Sequence, residues 1–385
     1  MFSLRDRYCI AGIGNTAYTR RSGRTVLDQA TEACIAAAQD AGLPLAEVDG
    51  IVSFHFNDSV PAIAVATALG LPAARYAIDI AGGGNAAGLI VLNAVAAIEA
   101  GLATTVLCYR AMNGRSGFRL GGGRELSARG ITQYTAPFGW ITYPQAMAMW
   151  CRRHMIEYGT TSEQLGAVAV TCRANAAANE RAMQRAPLTL DDYLASRFIA
   201  EPFRLLDICL ESDGACAVLV TSTERARDLA HRPVYIMGGA YGGGPNQGDD
   251  LFDGLRWPDH AHNYSRYIAG DLWGSAGVGP SEVDVAEIYD CFTYSVLMQL
   301  EGFGFCREGE GGAFVQGGCI ARDGALPINT HGGLLSEAYI HGLNHVVEAV
   351  SQLRGEAGPR QVPDAEIALT TAGAMTCGSA LVLRR

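Results

Sequence analysis

The sequence predicts an α/β fold made of two similar halves, because strand-like and helix-like segments alternate at both ends of the chain and one short motif recurs. Strands that alternate with helices are typical of a parallel sheet covered by helices. The motif is Glu-Val-Asp, which begins the stretches EVDGIV at 47–52 and EVDVAEI at 282–288. In both halves it lies ahead of a glycine-rich turn and a buried helix, so we expect a duplicated architecture.

The first half shows this alternation clearly. Its expected strands are 8–13, 50–54 and 104–109, and its expected helices are 25–41 and 80–98. The segment 80–98 carries no charge over 19 residues, which is close to the ~20 residues that a membrane span needs. Its small residues and glycine-rich start favour a buried helix of a soluble protein, and we expect no membrane association.

The second half repeats the plan. Its expected strands are 283–289, 367–371 and 379–383, and its expected helices are 291–302 and 338–354. We therefore divide the chain into an N-terminal half over 1–237 and a C-terminal half over 238–385. A loop and helical insertion over about 110–205, with helices expected at 144–158 and 162–178, precedes a strand at 215–221. Insertions of this size often carry substrate contacts or an oligomer surface.

Charge and composition exclude several classes of function. The 385 residues carry a formal net charge of −10, and all 29 basic residues are arginines. This acidic balance is the wrong sign for a protein that binds nucleic acid through clustered cations. The absence of lysine excludes a Schiff-base mechanism. The 11 cysteines include no CxxC pair and the N-terminus has no signal-peptide pattern, so we expect a cytoplasmic protein in a reducing compartment.

Four segments carry a family resemblance. They read YCIAGIG at 8–14, LLDICLESDGA at 205–215, EIYDCFT at 287–293 and NTHGGLLS at 329–336. With these motifs the chain resembles the thiolase superfamily, in the sterol-carrier-protein-x or non-specific lipid-transfer branch. The resemblance implies a thiolase fold, in which two half-domains form a five-layered α/β/α/β/α body. It also implies a homodimer that acts on coenzyme A thioesters.

Both catalytic cysteines of thiolases are missing. Thiolases place a nucleophilic cysteine at the start of the first buried helix, and the matching stretch here is 81–84, with Ala81 at the position of the thiol. The position of the second cysteine falls near Ala372, which leaves Cys377 five residues out of place. We therefore expect no acyl-enzyme intermediate.

Both catalytic histidines are replaced by tyrosine. The His-Asp-Cys-Phe motif of this branch begins here with Tyr289, and Tyr339 stands where the family has the histidine of its Gly-His-Pro motif. The glycines around the second tyrosine remain, which favours a coordinated change of chemistry over decay. Because a tyrosine hydroxyl both donates and accepts hydrogen bonds, two of them can move a proton without a nucleophile.

Such a pair suits the retro-aldol cleavage of a β-hydroxyacyl-coenzyme A, which needs a base at the hydroxyl and an acid at the α-carbon. The motifs resemble those of actinobacterial steroid side-chain-cleaving aldolases. These split a 17-hydroxy steroid with a three-carbon coenzyme A side chain into a 17-ketosteroid and propionyl-coenzyme A. The resemblance implies a steroid acyl-coenzyme A substrate, no further cofactor and no metal. It also implies a small partner protein, with an OB-fold and a zinc ribbon, that forms a heterotetramer with the homodimer.

The candidate site residues follow from these motifs. We expect catalytic roles for Tyr289 and Tyr339, with Tyr241 as a third candidate because it lies in the glycine-rich stretch 237–244. Substrate-binding roles are expected for Asp290, His331, Gly332, Gly333 and His341. The arginines at 110, 115, 119, 124 and 129 are interpreted either as contacts to the coenzyme A phosphates or as a solvated basic face.

Three alternatives stay open at this stage. His341 and His345 have the i, i+4 spacing of a zinc-binding helix face, with Glu337 and Glu348 as further ligands, which would give a metal-dependent aldolase or hydrolase. A non-catalytic lipid-transfer or assembly subunit would bind acyl-coenzyme A without turnover. Another lyase or acyltransferase would act on a different coenzyme A thioester.

Overall fold

A computed structural model describes residues 5–117, 119, 132–247 and 253–385. The strands are β1 (Tyr8–Asn15), β2 (Gly50–His55), β3 (Tyr76–Ala81), β4 (Thr105–Asn113), β5 (Phe198–Ala200), β6 (Phe203–Arg204), β7 (Asp213–Ser222), β8 (Val234–Gly243), β9 (Val285–Glu287), β10 (Ile367–Ala372) and β11 (Cys377–Arg384). The helices are α1 (Val26–Asp40), α2 (Ala62–Ala68), α3 (Ala87–Glu99), α4 (Thr132–Thr135), α5 (Tyr143–Tyr158), α6 (Ser162–Ala177), α7 (Leu190–Ala195), α8 (Thr223–Ala226), α9 (Ser265–Ala276), α10 (Thr293–Gly302), α11 (Gly311–Phe314), α12 (Gly333–Ser336) and α13 (Leu343–Arg354).

One large mixed sheet runs through the molecule in the order β3-β2-β4-β7-β1-β8-β11-β10-β9. In its first part, β2 is parallel to β3 and β4, whereas β4–β7 and β7–β1 are antiparallel. In its second part, β9 is parallel to β10, and β10–β11 and β11–β8 are antiparallel. The β2–β3 pair of the first part has a counterpart in the second part, where Ala286 of β9 forms a parallel bridge with Ile328. The two parts therefore have the same strand order and directions.

The two parts of the sheet meet where β1 lies beside β8, with Cys9 opposite Tyr235 and Ile10 opposite Val234. On this repeated order we base the proposal that the chain consists of two halves. The division expected between 237 and 238 lies inside β8, and we propose that the second half begins with that strand.

Helices cover both faces of the sheet. On β4, Leu107 and Tyr109 join the apolar cluster of α1, whereas the thiol of Cys108 reaches the carbonyl of Ile90 on α3. On β8, Gly238 faces α9 and Gly239 faces α3. Helices α3 and α13 contact each other and strands of both parts of the sheet, so they form the central layer. This arrangement confirms the expected thiolase-type α/β/α/β/α order.

Helix α13 starts later than the sequence predicts, at Leu343 rather than at residue 338. Two residues explain the late start, because Gly342 has φ +84° and His341 has φ +52°. These left-handed conformations do not fit an α-helix. The consequence is functional, since Tyr339 lies on an irregular segment ahead of the helix. The uncharged segment 80–98 likewise divides into the end of β3 and the shorter helix α3.

Helices α4–α7 and the small hairpin of β5 and β6 fall within the predicted insertion, and α6 packs against α10 and α12. Across the described ranges, we find no helix with the length and apolar character needed to cross a membrane.

Candidate active site

The two tyrosines that replace the family's histidines meet in the structure. The hydroxyl oxygens of Tyr289 and Tyr339 lie 2.9 Å apart, within hydrogen-bond distance. Tyr289 follows β9, and Tyr339 lies between α12 and α13. Tyr289 is only 2% exposed, whereas Tyr339 is partly buried and is the more accessible of the two. The structure therefore brings together two candidate catalytic residues that are 50 positions apart in the chain.

Hydrogen bonds to the backbone fix Tyr289. Its amide donates to the hydroxyl of Thr371 at 2.9 Å. Its carbonyl accepts from the side chains of Ser295 and Gln299, each at 2.8 Å. Because the amide and the carbonyl of Tyr289 are buried and hydrogen-bonded, its backbone is held in place and the position of the ring is fixed.

Glycines give the phenol of Tyr289 its space. A Cβ atom added to Gly84 would lie 1.6 Å from Tyr289 Oη, and one added to Gly342 would lie 2.9 Å from Cδ2 of the same ring. The segment that leads into α3 thus passes directly against the hydroxyl of Tyr289. Ala81, which the motif comparison placed at the thiol's position, is instead exposed at the end of β3.

Cys377 lies beside the segment that leads into α3. The side-chain amide of Asn85 lies 2.9 Å from its sulfur, just ahead of α3. The nearby hydroxyl of Ser379 donates to the carbonyl of Asn85 and accepts from the amide of Gly88. Cys377 thus lies beside the start of α3, and its displacement from the position of the family's second cysteine stays a prediction.

The surroundings of the tyrosines favour neutral hydroxyls. Burial raises the pKa of Tyr289 well above the usual tyrosine value, and the neighbouring Tyr339 and Cys291 add to the effect. Burial, Cys209 and Cys291 also raise the pKa of Tyr339, but the hydrogen bond with Tyr289 and the charge of Arg110 oppose this rise. Both hydroxyls therefore keep their protons at neutral pH, and the contributions of Tyr289 and Arg110 reduce the rise in the pKa of Tyr339 without cancelling it.

Asp290 holds the turn that carries the family's glycine motif. Its carboxylate accepts from the amides of Leu334 and Leu335, at 2.8 and 3.3 Å, and is fully buried. Gly333 has φ +65°, and a Cβ atom there would lie 2.0 Å from Asp290 Oδ2. Gly332, with φ +108°, packs against Ala176 in the same way. These contacts position the turn, and substrate binding by the three residues stays a prediction.

We expect replacement of Gly333 by alanine to destabilise the protein far more than the same change at Gly317. Both glycines have left-handed backbones, with φ +65° and +68°, but nothing lies within 4 Å of a Cβ at Gly317. Backbone strain should lower the free energy of unfolding by about 1 kcal/mol in each variant. The clash with Asp290 should raise the loss to about 2–4 kcal/mol in Gly333→Ala. Urea unfolding measures both, and equal losses would contradict the contact.

His331 belongs to a buried charged cluster rather than to the tyrosine pair. Its Nδ1 lies 2.9 Å from Glu287, and its Nε2 lies 3.6 Å from Glu337. Burial lowers the pKa of His331, but Glu337, Glu287 and Glu348 outweigh it and raise the pKa to about 9. His345 lies between Glu287 and Asp290, at 3.9 and 3.4 Å.

Glu287, His331 and His345 could together hold a metal ion, because one ligand atom from each lies within 4.8 Å of the others. The set differs from the one that the sequence spacing suggested. His341 and His345 do not share a helix face, since α13 begins after His341. The predicted zinc pattern of His341 and His345 is therefore wrong.

His341 instead contacts a buried arginine. Arg110 Nε donates to His341 Nδ1 at 3.0 Å, and the other end of the guanidinium forms a close ion pair with Asp58. The His341 ring stands edge to face with Tyr339, with centroids 4.8 Å apart. Burial and the charge of Arg110 lower the pKa of His341 to about 3, against the opposing effect of Asp58. His341 is therefore neutral and carries its proton on Nε2.

A neutral buried histidine predicts a specific loss of stability in acid. The folded-state pKa of His341, about 3, lies below the ~6.5 of an unfolded chain, so its contribution is complete above pH ~6.5 and is lost as the pH falls toward 3. Relative to His341→Asn, the free energy of unfolding of the native protein should fall by up to about 1.4 kcal/mol per pH unit below pH ~6.5. Asparagine also tolerates the left-handed backbone. A difference that does not vary with pH in urea unfolding would contradict the neutral state.

The remaining candidates lie elsewhere. Tyr241 is 42% exposed on β8, opposite Ser379 of β11, and a catalytic role for it stays a prediction. Arg110 is fully buried, so its interpretation as a phosphate contact or a solvated residue is wrong. Arg115 and Arg119 form ion pairs with Glu211, whereas Arg124 and Arg129 lie outside the described residues.

Comparison with known proteins shows the family of the chain. The family described as thiolase C-terminal domain-like matches residues 259–385. A steroid side-chain-cleaving aldolase of Thermomonospora curvata is 43% identical over 390 residues, which cover 100% of this chain and 99% of the relative. The chain belongs to the steroid side-chain-cleaving aldolases of the thiolase superfamily.

Two further proteins are similar to this aldolase. A 17-hydroxy-3-oxo-4-pregnene-20-carboxyl-CoA lyase of Mycobacterium tuberculosis is 42% identical and covers 99% of this chain and 100% of its own. A solved structure described as an Ltp2-ChsH2(DUF35) aldolase has a TM-score of 0.92 and 42% identity, over 100% of this chain and 99% of that one. These full-length matches support a carbon–carbon lyase of the thiolase superfamily.

Sequence reasoning missed several residues that surround the two tyrosines. Asp58 gave no signal because a single carboxylate after a predicted strand is common. Gly84 was recognised only as part of a glycine-rich turn. Burial of Arg110 could have been suspected from its position in the apolar strand 105–112, since a charge inside such a strand needs a partner.

Proposed function

We propose that this protein cleaves a 17-hydroxy steroid with a three-carbon coenzyme A side chain into a 17-ketosteroid and propionyl-coenzyme A, by a retro-aldol reaction. The observation that carries the proposal is the 2.9 Å contact between the hydroxyls of Tyr289 and Tyr339, the two residues that stand in place of the family's catalytic histidines. Full-length similarity to a steroid side-chain-cleaving aldolase and to a lyase named for such a substrate supports the steroid class.

The geometry fits the demands of the reaction. A base removes the proton of the C17 hydroxyl, the bond between C17 and the α-carbon breaks, and an acid protonates the α-carbon of the resulting thioester enolate. The hydroxyl oxygen and the α-carbon are attached to the same carbon, so acid and base must lie close together. Two phenols in direct contact meet this requirement, and the thioester itself delocalises the developing charge.

We propose that the reaction uses no cofactor other than the coenzyme A of its substrate and no metal. The tyrosines supply both proton-transfer groups, and the thioester stabilises the enolate without a Lewis acid. Chelator treatment followed by metal analysis tests this proposal. The chain alone is treated and then assayed with partner protein that keeps its zinc. Activity of the metal-free chain supports the proposal, whereas activity restored only by metal added to the treated chain would give the Glu287, His331 and His345 cluster a role in the reaction.

Partners are also part of the proposal. The similar solved structure is described as an assembly of Ltp2 with ChsH2(DUF35), and we propose that this chain likewise binds a small OB-fold and zinc-ribbon protein, as a heterotetramer built on a homodimer. Strand β3 supports the homodimer, because among the described residues it pairs only with β2 and leaves Ile78 37% exposed at the sheet edge. None of the 11 cysteines forms a disulfide, which suits the cytoplasmic location that we propose.

The test is to incubate the purified protein with the 17-hydroxy steroid thioester, with and without the partner, and to measure both products by mass spectrometry. Equal amounts of 17-ketosteroid and propionyl-coenzyme A support the aldolase. Dependence on the partner would show that the assembly is the functional unit. Unchanged thioester in both mixtures, from folded protein that binds it, would favour a lipid-transfer or assembly subunit.

A further inference from the structure

A buried line of side chains runs from the interior of the first half to Tyr339. Asp58 pairs with Arg110, Arg110 Nε donates to His341 Nδ1 at 3.0 Å, and the His341 ring contacts the Tyr339 ring. The side chains of Arg110 and Asp58 are 0% and 1% exposed. Burial of an arginine costs free energy unless the side chain is paired and fully hydrogen-bonded. Asp58 supplies the pairing, and the hydrogen bond to His341 links the arginine to Tyr339. This link indicates a role beyond stability.

We propose that Asp58, Arg110 and His341 form a positioning array that makes Tyr339 the base and Tyr289 the acid of the pair. The inference rests on the proposed retro-aldol function and assigns the two roles that the sequence leaves open. The ion pair of Asp58 and Arg110 turns its positive end toward Tyr339, with the neutral imidazole of His341 in contact with both the arginine and the tyrosine. The Tyr289 hydroxyl then donates its hydrogen bond to Tyr339 and stabilises the phenolate.

The backbone supports this assignment. His341 has φ +52°, a conformation that non-glycine residues rarely adopt. Strain of this kind persists where the surroundings hold a residue in a required position. Here Phe54 stacks on the His341 ring at 6.1 Å between centroids, and the Arg110 guanidinium lies 5.3 Å from the same phenyl ring. The imidazole is therefore clamped between an aromatic face and the arginine.

Asp58 pairs with the end of the Arg110 guanidinium that is turned away from His341, and the groups that face Tyr339 itself carry no negative charge at neutral pH. They are the Tyr289 hydroxyl, the neutral imidazole of His341, and the thiols of Cys209 and Cys291. Burial raises the pKa of the Cys209 thiol far above neutrality. The backbone amide of Tyr339 donates to the uncharged hydroxyl of Ser212. Arg110 is consequently the cation that acts on Tyr339 among the described groups around it.

The proton balance of the reaction closes with this assignment. Tyr339 first gives its proton to solvent, and its phenolate then takes the proton of the C17 hydroxyl. The bond between C17 and the α-carbon breaks, and the electron pair of that bond forms the enolate. Tyr289 then gives its proton to the α-carbon and becomes the phenolate. After product release, a proton passes from Tyr339 to Tyr289 across the 2.9 Å contact. This transfer regenerates the Tyr339 phenolate and the Tyr289 hydroxyl for the next cycle.

The experiment uses a ring-difluorinated tyrosine in place of Tyr339, because fluorine makes a phenol more acidic and gives a signal that reports its ionisation. Fluorine NMR measures the midpoint of this ionisation in the full chain and in a variant with Asp58→Asn and Arg110→Met, which removes the ion pair without leaving a buried charge. The array predicts a midpoint about one pH unit higher in the variant, a tenfold change of the ionisation constant. Arg110→Lys is the conservative control, because it keeps a cation and should keep most of the shift.

Activity supplies the second readout. The neutralised variant should cleave the steroid thioester about tenfold more slowly at pH 7, and the difluorinated tyrosine at 339 should restore part of that loss, whereas the same substitution for Tyr289 should not. An unchanged NMR midpoint in a folded variant would overturn the array. If the native protein shows no cleavage, the proposed function fails instead, and the midpoint still tests the array alone.

Discussion

Replacement of either Tyr289 or Tyr339 by phenylalanine should lower the rate of cleavage by at least about 100-fold, the loss typical of a missing general acid or base. Phenylalanine keeps the ring and removes only the hydroxyl, so the 2.9 Å contact disappears while the packing of both rings remains. The double variant should be hardly worse than either single one, because the two groups act as a unit. Steady-state rates on the steroid thioester test this directly.

Tyr241→Phe is the comparison that sharpens this result. This tyrosine lies on β8 with 42% exposure rather than in the buried pair. A small effect at Tyr241 together with large effects at the pair would assign proton transfer to the pair. Full activity of Tyr339→Phe would show that the contact is structural, and the assignment of catalytic roles would then fail.

The second large effect is expected from Gly84→Ala. The added methyl group would lie 1.6 Å from the Tyr289 hydroxyl and 2.2 Å from Cζ, so the phenol must move away from Tyr339. Because proton transfer depends on the contact between the two hydroxyls, we expect a loss of at least about 100-fold in the rate of cleavage. The free energy of unfolding should fall by about 1–3 kcal/mol, as is usual for overpacking.

Gly82→Ala is the matched control for this change. It lies in the same glycine-rich turn, and the nearest atom to its added Cβ is the methyl of Ala86 at 3.1 Å. Its rate of cleavage should stay within a few-fold of the native value. If both variants are equally inactive although folded, the turn as a whole, rather than the space beside Tyr289, would govern activity.

The fold was predictable from the sequence because its signals are local. Alternating strands and helices, the Glu-Val-Asp repeat and the uncharged helix all lie within short stretches, and the structure keeps them as β1, β2, β4 and α3. Element ends were less predictable. The start of α13 depends on left-handed backbone angles at His341 and Gly342, which a pattern of apolar residues cannot reveal.

Site residues could be predicted from the sequence only where they belong to a family motif. Tyr289 and Tyr339 stand at positions that a family pattern marks, and the structure joins them. Arg110 and Asp58 act through tertiary contacts between residues 52 positions apart, and no spacing rule signals such a pair. The helical spacing of His341 and His345 was misleading for a related reason, because α13 begins at Leu343 and therefore contains His345 but not His341.

We propose above that Tyr289 and Tyr339 cleave the substrate by proton transfer, without the covalent cysteine intermediate of thiolases. The most direct measurement is to run the reaction in heavy water without free coenzyme A and to examine propionyl-coenzyme A by mass spectrometry. We expect equal amounts of both products and one deuterium at the α-carbon of propionyl-coenzyme A, because that carbon takes its proton from an exchangeable hydroxyl. A requirement for free coenzyme A, together with an acyl group bound to a cysteine of the protein, would contradict it.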